Sequence, residues 1–149
     1  FAEPCAGNGA LIDHIEGHDF FSLEKNNPVC VYASDIEPQR KDIIKKNALK
    51  LTRNDAVGAE VFITNPPWDR RILHPLIFHL TAFKPTWLLF DADWMHTKQS
   101  IEFMPRLKKV VSIGRVKWIE GSKSTGKDNC CWYLFDKPND IPTQFFGRN

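Results

Sequence analysis

The chain has 149 residues, of which 42% are hydrophobic and 26% charged, with a formal net charge of +2. That length and apolar content suit one substantial core, so a single domain over 1–149 is expected. No apolar run is long enough to span a bilayer and no signal-peptide pattern leads the chain, so a cytoplasmic protein with no membrane partner is expected.

Phe1 to Ile12 passes from apolar residues to an acid, Glu3, then through Pro4, Cys5 and Ala6 to a glycine pair and a segment of helical potential. This is the pattern of a strand end, a tight loop and a helix start. Gly7 and Gly9 let the backbone take φ > 0 and approach a ligand closely, and the helix start offers free N–H groups. The third glycine of a dinucleotide-binding fingerprint is absent. Val29 to Pro38 then reads as a β-branched strand that ends in Asp35. Ligands of open α/β sheets bind beyond the carboxyl ends of the strands, where a carboxylate accepts both hydroxyls of a ribose, and Asp35 is read as that acceptor. Leu49 to Thr52 reads as a short strand, and Asn54-Asp55-Ala56 as a polar loop with a candidate acid.

Val61-Phe62-Ile63-Thr64 runs straight into Asn65-Pro66-Pro67-Trp68. Two prolines remove two N–H donors and fix two φ angles, so the strand stops in a rigid, outward-turned corner. An Asn side-chain oxygen and a proline carbonyl held together accept both hydrogens of one planar amine. Trp68 offers a flat face for the ring that carries the amine. Beyond the corner, Ile72 to Phe83 reads as a helix with Leu76, Ile77, Leu80 and Phe83 apolar, ended by Lys84-Pro85. Thr86 to Asp91 reads as a buried strand, and Thr97 to Leu107 as a helix that Pro105 shortens, with Ile101, Met104 and Leu107 on one side. Val110 to Val116 and Cys131 to Phe135 read as two strands joined by the polar connector 120–128. Alternating strands and helices that close on two consecutive strands predict a doubly wound, mainly parallel sheet of seven strands with an antiparallel end hairpin.

The corner resembles the N-P-P-aromatic motif of S-adenosylmethionine-dependent amino-methyltransferases, most closely those that methylate the exocyclic N6 of adenine in DNA. Glu3-Pro4-Cys5-Ala6-Gly7-Asn8-Gly9 resembles their (D/E)-P-x-x-G-x-G motif, and the motifs follow in family order over nearly the whole chain. The resemblance implies the class I methyltransferase, Rossmann-like fold and S-adenosylmethionine as cofactor. It implies that Glu3 faces the methionine end, that Ile36 packs on the cofactor's adenine, and that Asp55 contacts the adenine amino group. Pro4, Ala6, Gly7, Gly9, Asp35 and Asn65 complete the implied cofactor site. Related enzymes carry a helix and loop ahead of the first motif, so a chain truncated at its N-terminal side is expected. The implied reaction is direct in-line transfer at Asn65, Pro66, Pro67 and Trp68, in which two oxygens hold the amine and stabilise the charge that grows on its nitrogen. The same corner occurs in release-factor glutamine methyltransferases and RNA amino-methyltransferases. A non-catalytic cofactor- or nucleic-acid-binding subunit is a further alternative.

Under this reading DNA is the partner, with its target adenine flipped out. Arg70 and Arg71 behind the corner, and Lys117, Lys123 and Lys127 around the terminal hairpin, are placed to meet backbone phosphates. A module of this size lacks the surface to read a long sequence, so a partner chain or dimer is expected to supply recognition. Arg40, Lys41, Lys45, Lys46 and Lys50 are read as the solvated face of a flanking helix. Four cysteines without a C-x-x-C pair read as buried thiols. His14 and His18 lack the acid of a metal motif, so no metal is expected. Trp87 and Trp132 are read as core, Trp94 and Trp118 as candidates to border the pocket, and Gly121 to Lys127 as a hairpin loop rather than a phosphate loop.

Overall fold

A computed structural model describes residues 1–17, 28–116 and 126–148. The strands are β1 (Ala2–Glu3), β2 (Tyr32–Asp35), β3 (Ile44–Lys45), β4 (Phe62–Thr64), β5 (Thr86–Asp91), β6 (Leu107–Arg115), β7 (Asn129–Phe135) and β8 (Gln144–Phe146). They form one sheet in the order β3-β2-β1-β4-β5-β7-β6-β8. The run from β3 to β5 is parallel, β7 lies antiparallel between β5 and β6, and β8 returns parallel to β6. The mainly parallel sheet with an antiparallel end hairpin is therefore as expected, but the described residues give it eight strands instead of seven. The uncounted strands, β3 and β8, have two and three residues, too few for an alternating pattern to show. The short strand expected at Leu49 to Thr52 is a 3-10 turn, Ala48–Lys50, whose start is fixed by the Asn47 side chain accepting the Leu49 N–H at 2.9 Å.

Alternation along the strands assigns the core. On β5, Thr86, Leu88 and Phe90 point into it, where they meet Ala2, Phe62, Tyr133 and Phe135 from the neighbouring strands. Helix α2 (Arg70–Thr81) covers this face with Leu73, Leu76, Ile77 and Leu80, the i, i+3, i+4, i+7 stripe of an amphipathic helix. It begins two residues before the expected Ile72 because Asp69 caps it, accepting the Arg71 N–H at 2.9 Å. Helix α1 (Ala10–Gly17) lies in a second cluster, where Ile12 packs with Phe1, Ala6 and Ile43.

The segment expected as a helix over Thr97 to Leu107 is 3-10 helix at Lys98–Arg106, preceded by another at Ala92–His96. Three residues per turn bury Ser100 and Phe103 and leave Ile101 exposed. No helix forms over the basic run from Arg40 to Lys50. Its residues make turns, the two-residue β3 and the 3-10 turn. Trp94, expected to border the pocket, is core. It is 2% exposed, stands edge-on to Phe90 and donates its indole N–H to His74 Nε2 at 3.0 Å. Trp87 and Trp132, expected as core, are half-buried on the opposite sheet face, because the register pairs Leu89 with Trp132 and Trp87 with Leu134 on that side. Trp87 borders a shallow groove of about 600 Å³ there, with Lys109, Val111 and Phe146.

Candidate functional site

Strand order reverses between β1 and β4, and this is where an open α/β sheet leaves a crevice beyond its carboxyl ends. A cavity of about 880 Å³ opens there, its wall built from strand ends. β1 supplies Glu3 to Asn8, β2 supplies Asp35 and Ile36, and β4 supplies Asn65, Pro66 and Pro67. α2 contributes Ile72 and Leu76, and Val116 lies at the far side. Gly126 donates its N–H to the Val116 carbonyl at 2.8 Å, closing the base of the β6–β7 connection at this rim.

Glycine is required in the first loop. Gly7 has φ 53° and Gly9 φ 79°, in the left-handed region that side chains with a Cβ rarely adopt. No atom lies within 4 Å of the place a Cβ would take at Gly7, which leaves that backbone open to the cavity. At Gly9 the Arg40 guanidinium fills that place, and Gly9 is not part of the wall. Asp35 holds the loop: its Oδ2 accepts the Gly7 N–H and its Oδ1 the Glu37 N–H, each at 2.8 Å. A carboxylate oxygen has two lone pairs, so both oxygens retain acceptor capacity toward the cavity. Ile36 is 60% exposed on the same rim, an apolar face presented to whatever enters.

Glu3 is the most perturbed acid of the site. It is 2% exposed, and its Oε2 has no hydrogen-bond partner among the described residues. Burial first, then the charge of Asp35, pushes its carboxyl up to about 8. Cys5 beside it is pushed up to about 12 by burial, so its thiol is a neutral wall group.

At the corner, Pro66 is buried while Asn65 is half-exposed. The Asn65 side-chain oxygen accepts the indole N–H of Trp68 at 3.3 Å, which distinguishes oxygen from nitrogen in that amide. Trp68 is outside the cavity wall and packs, half-buried, against the main core.

Asp55 is also outside the wall. Its carboxylate is held down at about 2 by Lys46 and by the hydroxyl and N–H of Thr52, both at 2.7 Å. Asn47, which no motif in the sequence marks, lines the cavity instead, together with Ala48 and Leu49. Its only sequence signal was cap chemistry, Asn ahead of a short turn. His14 also faces the cavity. Among the described residues no three His, Cys, Asp or Glu side chains gather to hold a metal ion, and no helix is long and apolar enough to cross a membrane.

The basic candidates divide. Arg70 donates to the neutral Gln99 Oε1 at 2.8 Å, whereas Arg71 is paired with Asp69. Lys127 is exposed next to the Gly126 end of the hairpin. Lys117, Lys123, Trp118 and His18 lie outside the described residues.

No protein-family model matches the sequence, and no curated protein does. Solved structures do match. A dimethyladenosine transferase from Plasmodium falciparum superposes with a TM-score of 0.54 at 18% identity over 93% of this chain and 55% of its own. The M protein of the Type I restriction enzyme EcoKI (EC 2.1.1.72) gives 0.55 at 10% identity over 98% and 43%. A Listeria monocytogenes protein assigned to the class I S-adenosylmethionine-dependent methyltransferases gives 0.54 at 12% over 97% and 57%. The chain thus spans about half the length of each. At these identities the likeness is one of fold, and the fold is the class I methyltransferase, Rossmann-like arrangement.

Proposed function

We propose that this chain is the catalytic domain of an S-adenosylmethionine-dependent amino-methyltransferase whose substrate is the exocyclic N6 of adenine in DNA. One observation carries the reading: a single cavity at the sheet's switch point collects Glu3, the open Gly7 backbone, Asp35, Ile36 and the Asn65-Pro66-Pro67 corner. The residues fit the cofactor. Glu3 is a buried acid with an unsatisfied oxygen, which a cationic group would complete. Asp35 is a rim carboxylate with acceptor capacity for vicinal hydroxyls, and Ile36 is an apolar plate for a ring. Asn47 takes the place beside that ring which Asp55 was expected to fill.

When bound, the cofactor supplies an already activated methyl carbon. The chain's own residues then have two tasks, to orient the amine and to keep water out. The Asn65 oxygen and the Pro66 carbonyl accept the two amine hydrogens, which leaves the nitrogen lone pair facing the methyl donor. The same oxygens stabilise the developing positive charge. Leu76, Leu89 and Val116 make the far wall apolar, which strengthens those hydrogen bonds. The Type I restriction M protein among the structural neighbours supports DNA as substrate and further subunits as partners.

A second reading follows from Trp68, which lies against Asn65 and the core instead of lining the cavity. A glutamine side-chain amide needs no stacking plate. One assay separates the two: methyl transfer from labelled cofactor to DNA, RNA and glutamine-bearing peptide, with digestion and mass analysis. N6-methyladenine from DNA is expected. Label in the peptide would replace the nucleic-acid reading, and no transfer to any substrate would leave a non-catalytic binding subunit. Asn65→Ala should leave cofactor affinity nearly intact and slow single-turnover transfer by at least about 100-fold, since its hydrogen bond strengthens in the transition state.

A further inference from the structure

Arg40 is not part of the cavity wall, yet it joins the two loops that form one end of it. Its Nε and Nη2 meet the two oxygens of Asp42, each at 2.8 Å, and its Nη1 meets both oxygens of Asp13 at 2.7 and 2.9 Å. Asp42 lies two residues on in the loop that follows β2 and holds the fork in plane. Asp13 belongs to α1, directly behind the glycine loop. The guanidinium consequently lies over Gly9, in space that any side chain at that position would need.

Two further links run alongside. Gln39 donates its N–H to the Gly7 carbonyl at 2.9 Å, and Gly7 donates its own N–H to Asp35. The three together bind the glycine loop and the start of α1 to the end of β2 and the loop after it, beside the cavity. Exposed ion pairs usually contribute little, because two long side chains lose freedom for a screened attraction. This one differs in geometry and not in burial: a planar fork serves two carboxylates at once, with the Arg40 side chain 32% exposed and those of Asp13 and Asp42 65% and 64% exposed.

We infer that Arg40 is a positioning residue, which holds the glycine loop closed against the β2 loop so that a nucleoside-bearing cofactor meets a cradle already formed. A preformed cradle spares binding the cost of ordering it. The inference rests on the methyltransferase reading above, and two measurements keep their outcomes apart. Calorimetric titration of the wild-type protein with S-adenosylmethionine tests that reading; absence of binding would remove it. Amide hydrogen exchange in the empty protein tests the clasp whichever way the titration falls. Arg40→Ala is expected to speed exchange at Gly7 and Gln39 by about fivefold relative to amides of β5, and to weaken cofactor binding by about the same factor. Arg40→Lys should recover little, since a point charge cannot serve both carboxylates. If Arg40→Ala fails to fold, Asp13→Asn removes one end of the clasp and should show the same pattern to a smaller degree. Unchanged exchange at Gly7 and Gln39 in a folded variant, or full recovery by Arg40→Lys, would overturn the inference.

Discussion

At the end of β1 the chain holds a carboxyl where ionisation is costly. The ordinary Glu value is 4.5, and in the folded protein Glu3 is pushed up to about 8 by burial and by Asp35. Between those values the folded state keeps a proton that the unfolded chain has released, so the contribution of Glu3 to stability is fully present below about pH 4.5 and is lost as pH rises through about 8. Each unit of separation corresponds to about 1.4 kcal/mol. Thermal melts of the empty protein should therefore show wild type losing ground to Glu3→Gln steadily across that window. A constant difference between the two would mean that Glu3 does not titrate there. If the proposed cofactor brings its ammonium to Glu3, the acid ionises on binding. Calorimetry at about pH 7 in two buffers of different ionisation enthalpy should then detect a released proton. The residues around Glu3 were legible in the sequence because each ends a strand at a recognisable motif: the glycine pair, Asp35, the double proline. Asn47 was not, since its place depends on a 3-10 turn that leaves no periodic trace. Asp55 stood out as an acid, but what it pairs with, Lys46, cannot be read from spacing.

Among the elements, α2 carries a residue at odds with its own hydrogen bonding. Pro75 lies inside the helix on its solvent side, where it removes one backbone bond and crowds the carbonyl one turn back. Replacing it with Ala restores that bond without touching the core. The helix term is about 3 kcal/mol, and the added freedom of the unfolded chain offsets about 0.4 to 1 of it. A net gain of about 2 to 2.6 kcal/mol is expected for Pro75→Ala in urea melts, and a loss would show that the fold depends on the proline at this position. Helix α2 was readable from its apolar spacing because the stripe is long and faces one core. The segment Lys98–Arg106 was not: three residues per turn and 3.6 select different faces, and Pro105 gave no hint of which applied. The tryptophans fail for a related reason. Strand character at Trp87 and Trp132 is clear in the sequence, but which sheet face is covered depends on elements far away in the chain.

For the molecule as a whole, charge placement matters more than the net value. Arg71 is largely neutralised by Asp69, while Arg70, bonded to an uncharged amide, keeps its full charge beside the corner. If the site takes DNA, Arg70→Ala should flatten the dependence of log K on log[salt] by about one unit, and Arg71→Ala by clearly less. Fluorescence anisotropy across a salt series reads both slopes. Equal slopes for the two variants would mean that the Asp69 pair opens on binding. The parallel run and its antiparallel end hairpin were legible from the alternation of elements, since parallel strands need crossovers and consecutive strands make hairpins. The sheet's eighth strand was not, because three residues pairing across a long separation carry no local signature.

The bond between Gly126 and Val116 has a consequence for how such a domain can change. It pins together the two ends of whatever lies between them, at the edge of the cavity. Lengthening a segment between fixed ends costs only about 0.6 kcal/mol for each doubling of its length, and the sheet beneath does not register the difference. New material spliced there arrives at the mouth of the site without disturbing Glu3, Asp35 or the double-proline corner. The stretch between Val116 and Gly126 is therefore a place where chain length can change at the rim of the cavity while Glu3, Asp35 and the double-proline corner keep their positions.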